Sequence, residues 1–164
     1  MKQYAGKEIL RDLSFTPIKT TEQFHSAYTM HDIASFFVIT EYIRRGYIAQ
    51  PLGVDMRKRR VIVENELPDY VVESGEEIFC FDVKAKTSIQ RFGWVNERAA
   101  LSYQQLAARC NVSVYVNFVQ VVGSRVRSNV GYCDIETEAI ERKKAWNGNI
   151  VLVNKWEKGL ARIS

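Results

Sequence analysis

The stretch that decides the reading is Pro68-Asp69-Tyr70-Val71-Val72-Glu73-Ser74-Gly75-Glu76-Glu77-Ile78-Phe79-Cys80-Phe81-Asp82-Val83-Lys84. Gly75-Glu76 suits the two central positions of a type II′ hairpin turn, which takes glycine first. Pairing outward from that turn sets Ser74 against Glu77, Glu73 against Ile78 and, at the far end, Asp69 against Asp82, with Cβ atoms ~5 Å apart. Side chains alternate along a strand, so Lys84 shares the face of Asp82. The other face carries Tyr70, Val72, Phe79, Phe81 and Val83 and reads as core. Two carboxylates and an ammonium are thereby gathered on one side of an apolar hairpin. Like charges that close destabilise a strand pair unless a cation neutralises them. Lys84 does so in part, and a hard divalent cation with oxygen ligands would do so more fully. The bland alternative is a solvated charge cluster. Against it, Ile78-Phe79-Cys80-Phe81 is apolar enough for a strand covered on both sides, where idle charges are costly.

The flanks supply the rest of the domain. Thr20-Thr21-Glu22 offers a hydroxyl cap and a first-turn acid, and the helical period runs from Glu22 to Arg45 with Gly46 as the stop. On a helical wheel Glu41, Arg44 and Arg45 fall together, while Ile33, Phe36, Phe37, Ile39 and Ile43 cover most of the rest. That predicts a nearly engulfed helix with a narrow wet stripe. Tyr47-Ile48-Ala49 is extended, Gln50-Pro51-Leu52-Gly53 a turn, and Arg60 to Glu64 a candidate strand. Strands follow at Asp69–Glu73 and Glu77–Ala85, then a loop through Phe92, Trp94 and Asn96. Ala99, Tyr103, Leu106 and Cys110 recur at helical spacing within a helix over Val95–Arg109. Ser113–Val122 is a continuous, β-branched apolar run and reads as a central strand parallel to Glu77–Ala85, since a helix joins them. Val130–Ile135 is another strand, Glu136–Lys144 a short helix and Asn149–Val153 a last strand. Residues 1–20 read as irregular or a short helix. The pattern is α/β, a mixed central sheet flanked by helices.

The 164 residues are 46% hydrophobic and 26% charged, which excludes a disordered chain and fits one domain over 1–164. The longest apolar run, Ile33–Ile43, is interrupted and far short of the ~20 residues of a membrane span. The N-terminus shows no apolar signal region. Cys80, Cys110 and Cys133 have no paired spacing and read as small buried hydrophobes, and His25 and His31 are too few for a zinc cluster. These features predict an intracellular protein, of the cytoplasm or nucleoid, without a membrane partner. The net charge of +4 permits a nucleic-acid partner.

Pro-Asp, then a hairpin, then Asp-Val-Lys resembles the PD-(D/E)XK nuclease superfamily, the restriction-endonuclease-like fold. Pro68-Asp69 matches its first element and Asp82-Val83-Lys84 its second. A long helix ending in Arg-Arg-Gly-Tyr, a basic loop, the hairpin, a helix and the strand after it resemble the αβββαβ core of that superfamily. The flavour is that of Holliday-junction-resolvase-like and phage or prophage-type small nucleases. The matched core covers about residues 21–122, with 123–164 as a C-terminal elaboration. The resemblance implies a Mg²⁺- or Mn²⁺-dependent DNA endonuclease that leaves a 5′-phosphate and a 3′-hydroxyl. Asp69, Asp82 and the backbone carbonyl of Val83 would hold the metal, and Lys84 would orient or deprotonate the attacking water and stabilise charge at phosphorus. Two other readings stay open. One is a catalytically weak or inactive nucleic-acid-binding module on the same fold; the other is a subunit whose hairpin charges pair with a protein partner.

Many superfamily members carry a metal-binding glutamate on the first helix. Here Ser35 falls at about that place. Glu41 lies on the wet stripe and reads as a surface ion pair. Asp32 is the candidate stand-in, beside His31. The basic run Arg57-Lys58-Arg59-Arg60 precedes the hairpin and reads either as a solvated face or as phosphate contacts. Lys86, Thr87 and Ser88 continue from the catalytic strand toward the scissile strand's backbone. Gln104 is either solvent-facing or placed near the site, and Phe92 and Trp94 are either core or a nucleic-acid clamp. A homodimer would fit two-strand cutting, which needs two sites.

Overall fold

In the computed structural model the described residues are 21–52, 66–87, 92–145 and 148–162. The long helical pattern forms α1 (Thr21–Arg44). Among the described side chains its buried apolar positions, Ala34, Val38 and Tyr42, recur every four residues and make one strip against a sheet. The helix is not engulfed: Phe36 is 74% exposed and Ile43 58%. A wheel locates apolar side chains but not the layer available to cover them, and only one flank of α1 meets the sheet. Glu41 and Arg44 do form a surface ion pair at 2.7 Å.

Strands β1 (Ile48–Pro51), β2 (Tyr70–Ser74) and β3 (Glu77–Lys86) follow as an antiparallel meander. Gly75 has φ +59° while Glu76 keeps a negative φ, the signature of the II′ turn. The chain then leaves for β4 (Phe92–Asn96), passes through α2 (Glu97–Cys110) and returns as β5 (Ser113–Val122), parallel to β3 from Phe79↔Ser113 to Lys86↔Gln120. β6 (Arg125–Asp134) and β9 (Glu157–Lys158) complete a six-stranded mixed sheet in the order β1-β2-β3-β5-β6-β9. β4, β8 (Ile150–Lys155) and β7 (Glu141–Lys144) make a second, three-stranded sheet in the order β4-β8-β7.

The main sheet is buried on both faces. Phe79, Phe81, Val83, Tyr115, Val119 and Val121 pack with Ala34, Val38 and Tyr42 of α1. Cys80, Val114, Val116 and Phe118 pack with Ala99, Ala100, Tyr103 and Ala107 of α2 and with Val95 of β4. The second sheet therefore shares a layer with α2. Close approach of β4 is possible because residue 93 is glycine; a Cβ there would fall 2.2 Å from the Phe118 ring.

Several elements differ from expectation. The loop through Phe92, Trp94 and Asn96 is a strand, and the helix after it begins at Glu97 because the Asn96 side chain caps it, accepting from the Arg98 amide at 3.1 Å. Trp94 is 40% exposed, not core. Glu136–Lys144 is not a helix. A turn after Asp134 is held by the Glu136 amide on Asp134 Oδ1, and Glu141–Lys144 pairs with β8. A sheet partner folding back on a stretch of modest helical period overrides that period. β6 starts at Arg125, earlier than expected, because Val122↔Arg125 closes a hairpin whose Gly123 has φ +61°. Cys80 and Cys133 are buried, but Cys110, in the last turn of α2, is exposed. The expected strand Arg60–Glu64 and residues 1–20 lie outside the described residues.

Candidate active site

The hairpin register carries the two aspartates together. Tyr70 pairs with Phe81, and one step further toward the open end Asp69 lies opposite Asp82. Asp69 is anchored through both backbone and side chain. Its carbonyl accepts the Leu52 amide at 2.8 Å, and its Oδ2 accepts the Val83 amide at 2.8 Å. Val83 lies beyond the last β2–β3 pair, so its N–H has no ladder partner on that edge and takes the carboxylate instead. In an antiparallel pair one residue offers both its N–H and its C=O to the same side, so the Val83 carbonyl points toward the Asp69 edge as well.

Asp82 and Lys84 project from β3 on the α2 side. Lys84 Nζ stands 2.6 Å from Asp82 Oδ2. The side chains differ in exposure: Asp82 is 4% exposed, Lys84 33% and Asp69 26%. The cluster thus has a dry floor and a wet mouth. Asp82 Oδ2 is buried, and the Lys84 ammonium is the charge that meets it. The Tyr103 hydroxyl of α2 faces Asp82, and burial together with Asp82, Asp69 and Glu66 holds it as a neutral phenol. Glu66 also acts on Lys84 and is ion-paired with Arg98.

The environment pushes the two carboxyls apart. Burial, with the Asp69 charge adding to it, pushes Asp82 up to about 7. Burial opposes ionisation of Asp69 too, but the His31 hydrogen bond and charge and the Lys84 charge outweigh it and hold Asp69 below its usual value. Burial would lower Lys84; the charges of Asp82 and Asp69 together outweigh that and keep the ammonium charged above the ordinary lysine value. Paired carboxyls with separated affinities for a proton are a mark of functional sites.

From α1, His31 Nε2 lies 3.1 Å from Asp69 Oδ2, and Ser35 Oγ lies 3.4 Å from His31 Nδ1. The hydrogen bond to Asp69 raises the His31 pKa against the opposing effect of burial. Asp32, one residue on, is exposed; among the described side chains of α1, His31 meets Asp69 and Ser35 meets His31. Gln104 donates to the Ile135 carbonyl at 3.1 Å; its neighbour Tyr103 is the α2 residue at the site. Lys86 is half-buried at the end of β3, on the face of Asp82 and Lys84. Arg57, Lys58, Arg59 and Arg60 lie outside the described residues. Sequence pattern does not reach two members of the site, Glu66 and Tyr103. Tyr103 is visible there only as a core position on a helix face, and Glu66 has no pattern around it.

Could this cluster hold a divalent cation? Among the described residues no three His, Cys, Asp or Glu side chains converge as a closed cage. The donor set nevertheless fits one. Asp82 is buried with one ammonium against it, a second carboxylate faces it, and the Asp69 side is open to solvent. Oxygen donors of this kind suit Mg²⁺ or Mn²⁺, with water filling the remaining positions.

The α1-β1-β2-β3-α2-β5 order around a mixed sheet covered on both faces is the restriction-endonuclease-like fold. A solved structure of Hjc, a Holliday junction resolvase from the archaeal hyperthermophile Archaeoglobus fulgidus, is similar, with a TM-score of 0.53 over 73% of this chain and 84% of that one, at 13% identity. At that identity the likeness is one of fold. No family profile and no curated protein matches the sequence. Among the described residues no helix is long and apolar enough to cross a membrane.

Proposed function

We propose that the chain is a metal-dependent DNA endonuclease that hydrolyses phosphodiesters at the Asp69–Asp82–Lys84 cluster. The observation that carries this reading is the buried Asp82 carboxyl, facing the Asp69 carboxyl, with Lys84 2.6 Å away on the same face. A group arranged that way lowers stability unless something else binds it. The resolvase-like fold supports the choice of DNA as substrate.

Asp69, Asp82 and the Val83 carbonyl would hold Mg²⁺ or Mn²⁺. Such a cation, when bound, polarises a phosphoryl oxygen and lowers the pKa of water. Lys84 would orient or deprotonate the attacking water and donate hydrogen bonds to the charge developing on the phosphate. Its one-third exposure lets the ammonium reach a substrate at the mouth while Asp82 fixes its position from below. Tyr103 and the floor residues keep water from behind the cluster, which strengthens these interactions. Arg57, Lys58, Arg59, Arg60 and Lys86 would meet phosphates along the strand. A second copy of the chain would supply the second site for a two-strand cut.

The test is nicking of supercoiled plasmid and of a four-way junction in Mg²⁺ and in Mn²⁺, with EDTA as control. Cleavage in the cation that EDTA abolishes, and that Asp82→Asn protein lacks, is the expected result. Metal-independent DNA binding without cleavage under either cation would instead identify an inactive binding module.

A further inference from the structure

The second sheet carries an aromatic side chain that the proposed chemistry leaves unused. Trp94, on β4, is 40% exposed, and Lys143 Nζ of β7 stands 4.4 Å from the centre of its ring. β8 lies between β4 and β7, with Trp94 opposite Val153 and Lys143 opposite Val151. The lysine stem therefore crosses β8 and meets the indole from the β8 side. β4 is the edge of its sheet, so the other ring face is turned away from β8, toward that edge. An ammonium on one face holds the indole in one orientation, and little rotamer freedom remains to be lost when a ligand takes the other.

The stacking of the two sheets decides what that edge overlooks. Gly93 lies on the ring of Phe118, and Phe118 is the β5 partner of Lys84. On its other side Phe118 pairs with Gly131 of β6, which is covered by the ring of Trp156, the residue just past the end of β8. Going from β4 to β8 in the second sheet is thus going from β5 to β6 in the main one. The free edge of β4 points the opposite way, toward β3, and overlooks the Lys84 end of the row Lys84–Phe118–Gly131. Packed layers stand ~10 Å apart, and neighbours along a strand point to opposite faces, so Gly93 faces Phe118 while Trp94 stands on the outer surface. Trp94 is therefore at the rim of the mouth through which Lys84 is one-third exposed. By register the same outer face carries the exposed Lys155, opposite Phe92, and Glu141, opposite Val153. With Lys143 this makes two ammoniums against one carboxylate, a face that favours phosphates.

We infer that Trp94 is a stacking platform for an unpaired nucleobase beside the phosphate to be cut, with Lys143 and Lys155 meeting phosphates of the same strand, so that DNA with an unpaired base is bound in preference to continuous duplex. The inference rests on the nuclease reading and deepens it. Every base has a π-face, so stacking on an indole is tolerant of sequence. In continuous duplex both faces of a base are taken by its neighbours, and the indole gains a partner only where a base is unpaired or turned out.

The probes are a DNA fork with a single-stranded arm and a continuous duplex of the same length, each added to the full chain in EDTA so that binding is read without cleavage. Trp94→Ala is expected to weaken fork binding at least about fivefold, the lower end of what one base–aromatic stack contributes, and duplex binding by less than about twofold. Trp94→Phe, which keeps a ring, is expected to recover most of the loss. Independently of any variant, 5-iodouracil placed in the arm beside the fork is expected to crosslink to Trp94 when the wild-type complex is irradiated, read by mass spectrometry of the peptides. Crosslinks confined to other residues, fork binding unchanged by Trp94→Ala, or equal weakening of fork and duplex each overturn the stacking platform. Cation-dependent nicking of plasmid alongside any of these leaves the nuclease reading standing. Wild-type protein that binds neither DNA overturns both.

Discussion

Two buried polar clusters sit on opposite faces of the same sheet, and they are resolved in opposite ways. On the α1 face Asn117, fully buried on β5, donates to the Tyr42 hydroxyl and accepts from the Ala161 amide, both at 3.3 Å. Tyr42 in turn donates to the Ala161 carbonyl at 3.0 Å. The ring of neutral groups is closed, and it ties helix, central strand and C-terminal segment together. On the α2 face Asp82, on the neighbouring strand, is almost as dry, but it is ionisable, and two carboxyls there share the one Lys84 ammonium. A satisfied neutral network strengthens a fold, whereas a part-satisfied ionic one weakens it. The α1-side cluster therefore serves structure, and the α2-side cluster is held ready for something the chain does not itself supply.

This contrast is tested most severely by Lys84→Ala. Loss of a preorganised charged donor is expected to cut cleavage by ~10²–10³-fold, with Mn²⁺ binding retained. Undiminished cleavage would place the chemistry elsewhere. Next in size is the neutral cluster. Asn117→Ala leaves the Ala161 amide without its partner and takes away the donor to the Tyr42 hydroxyl, and should cost about 1–3 kcal/mol in urea unfolding, with any cleavage by the folded fraction preserved. Equal stability would mean that the ring contributes little.

Asp82→Asn should behave in the reverse way: no cleavage, yet a metal-free protein about 0.5–2 kcal/mol more stable than wild type at pH 8. The gain should shrink in acid. Asp82 binds its proton more tightly folded than unfolded, where it titrates near ~3.9. Its stabilising contribution is therefore complete below about pH 4 and lost as pH rises through about 7. His31, also raised, acts in the same sense at its own higher range, whereas Asp69, lowered, contributes above about pH 4 and loses that contribution in acid. Thermal melts in EDTA should accordingly fall from about pH 5.5 to about pH 8, less steeply for Asp82→Asn. A wild type equally stable at both pH values would contradict the strained carboxyl. The smallest effect concerns neither cluster. Replacing Arg57, Lys58, Arg59 and Arg60 by alanine should flatten the salt dependence of DNA binding by up to ~0.9 in logarithmic slope for each phosphate left unneutralised, with the stability of both clusters unchanged.

The hairpin, its register and hence the company of Asp69, Asp82 and Lys84 are all written in the amino-acid order. Each of these is local: a glycine that accepts φ +59° fixes the turn, and a period of two then fixes every face along both strands. The parallel β3–β5 pair is equally legible, because a helix between two apolar strands leaves few other connections. Other features depend on which elements come to lie alongside. Pairing with β8 makes Glu141–Lys144 a strand against its own pattern. The position of α1 at the open end of the hairpin selects His31 and Ser35 over Asp32, residues that differ by a fraction of a helical turn and that no periodicity separates. The packing of α2 aims Tyr103 rather than Gln104 at Asp82. Alternation and turn chemistry act between neighbours in the chain, but the docking of one element on another is set by the whole core, and the side chains it selects cannot be read from their own surroundings in the sequence.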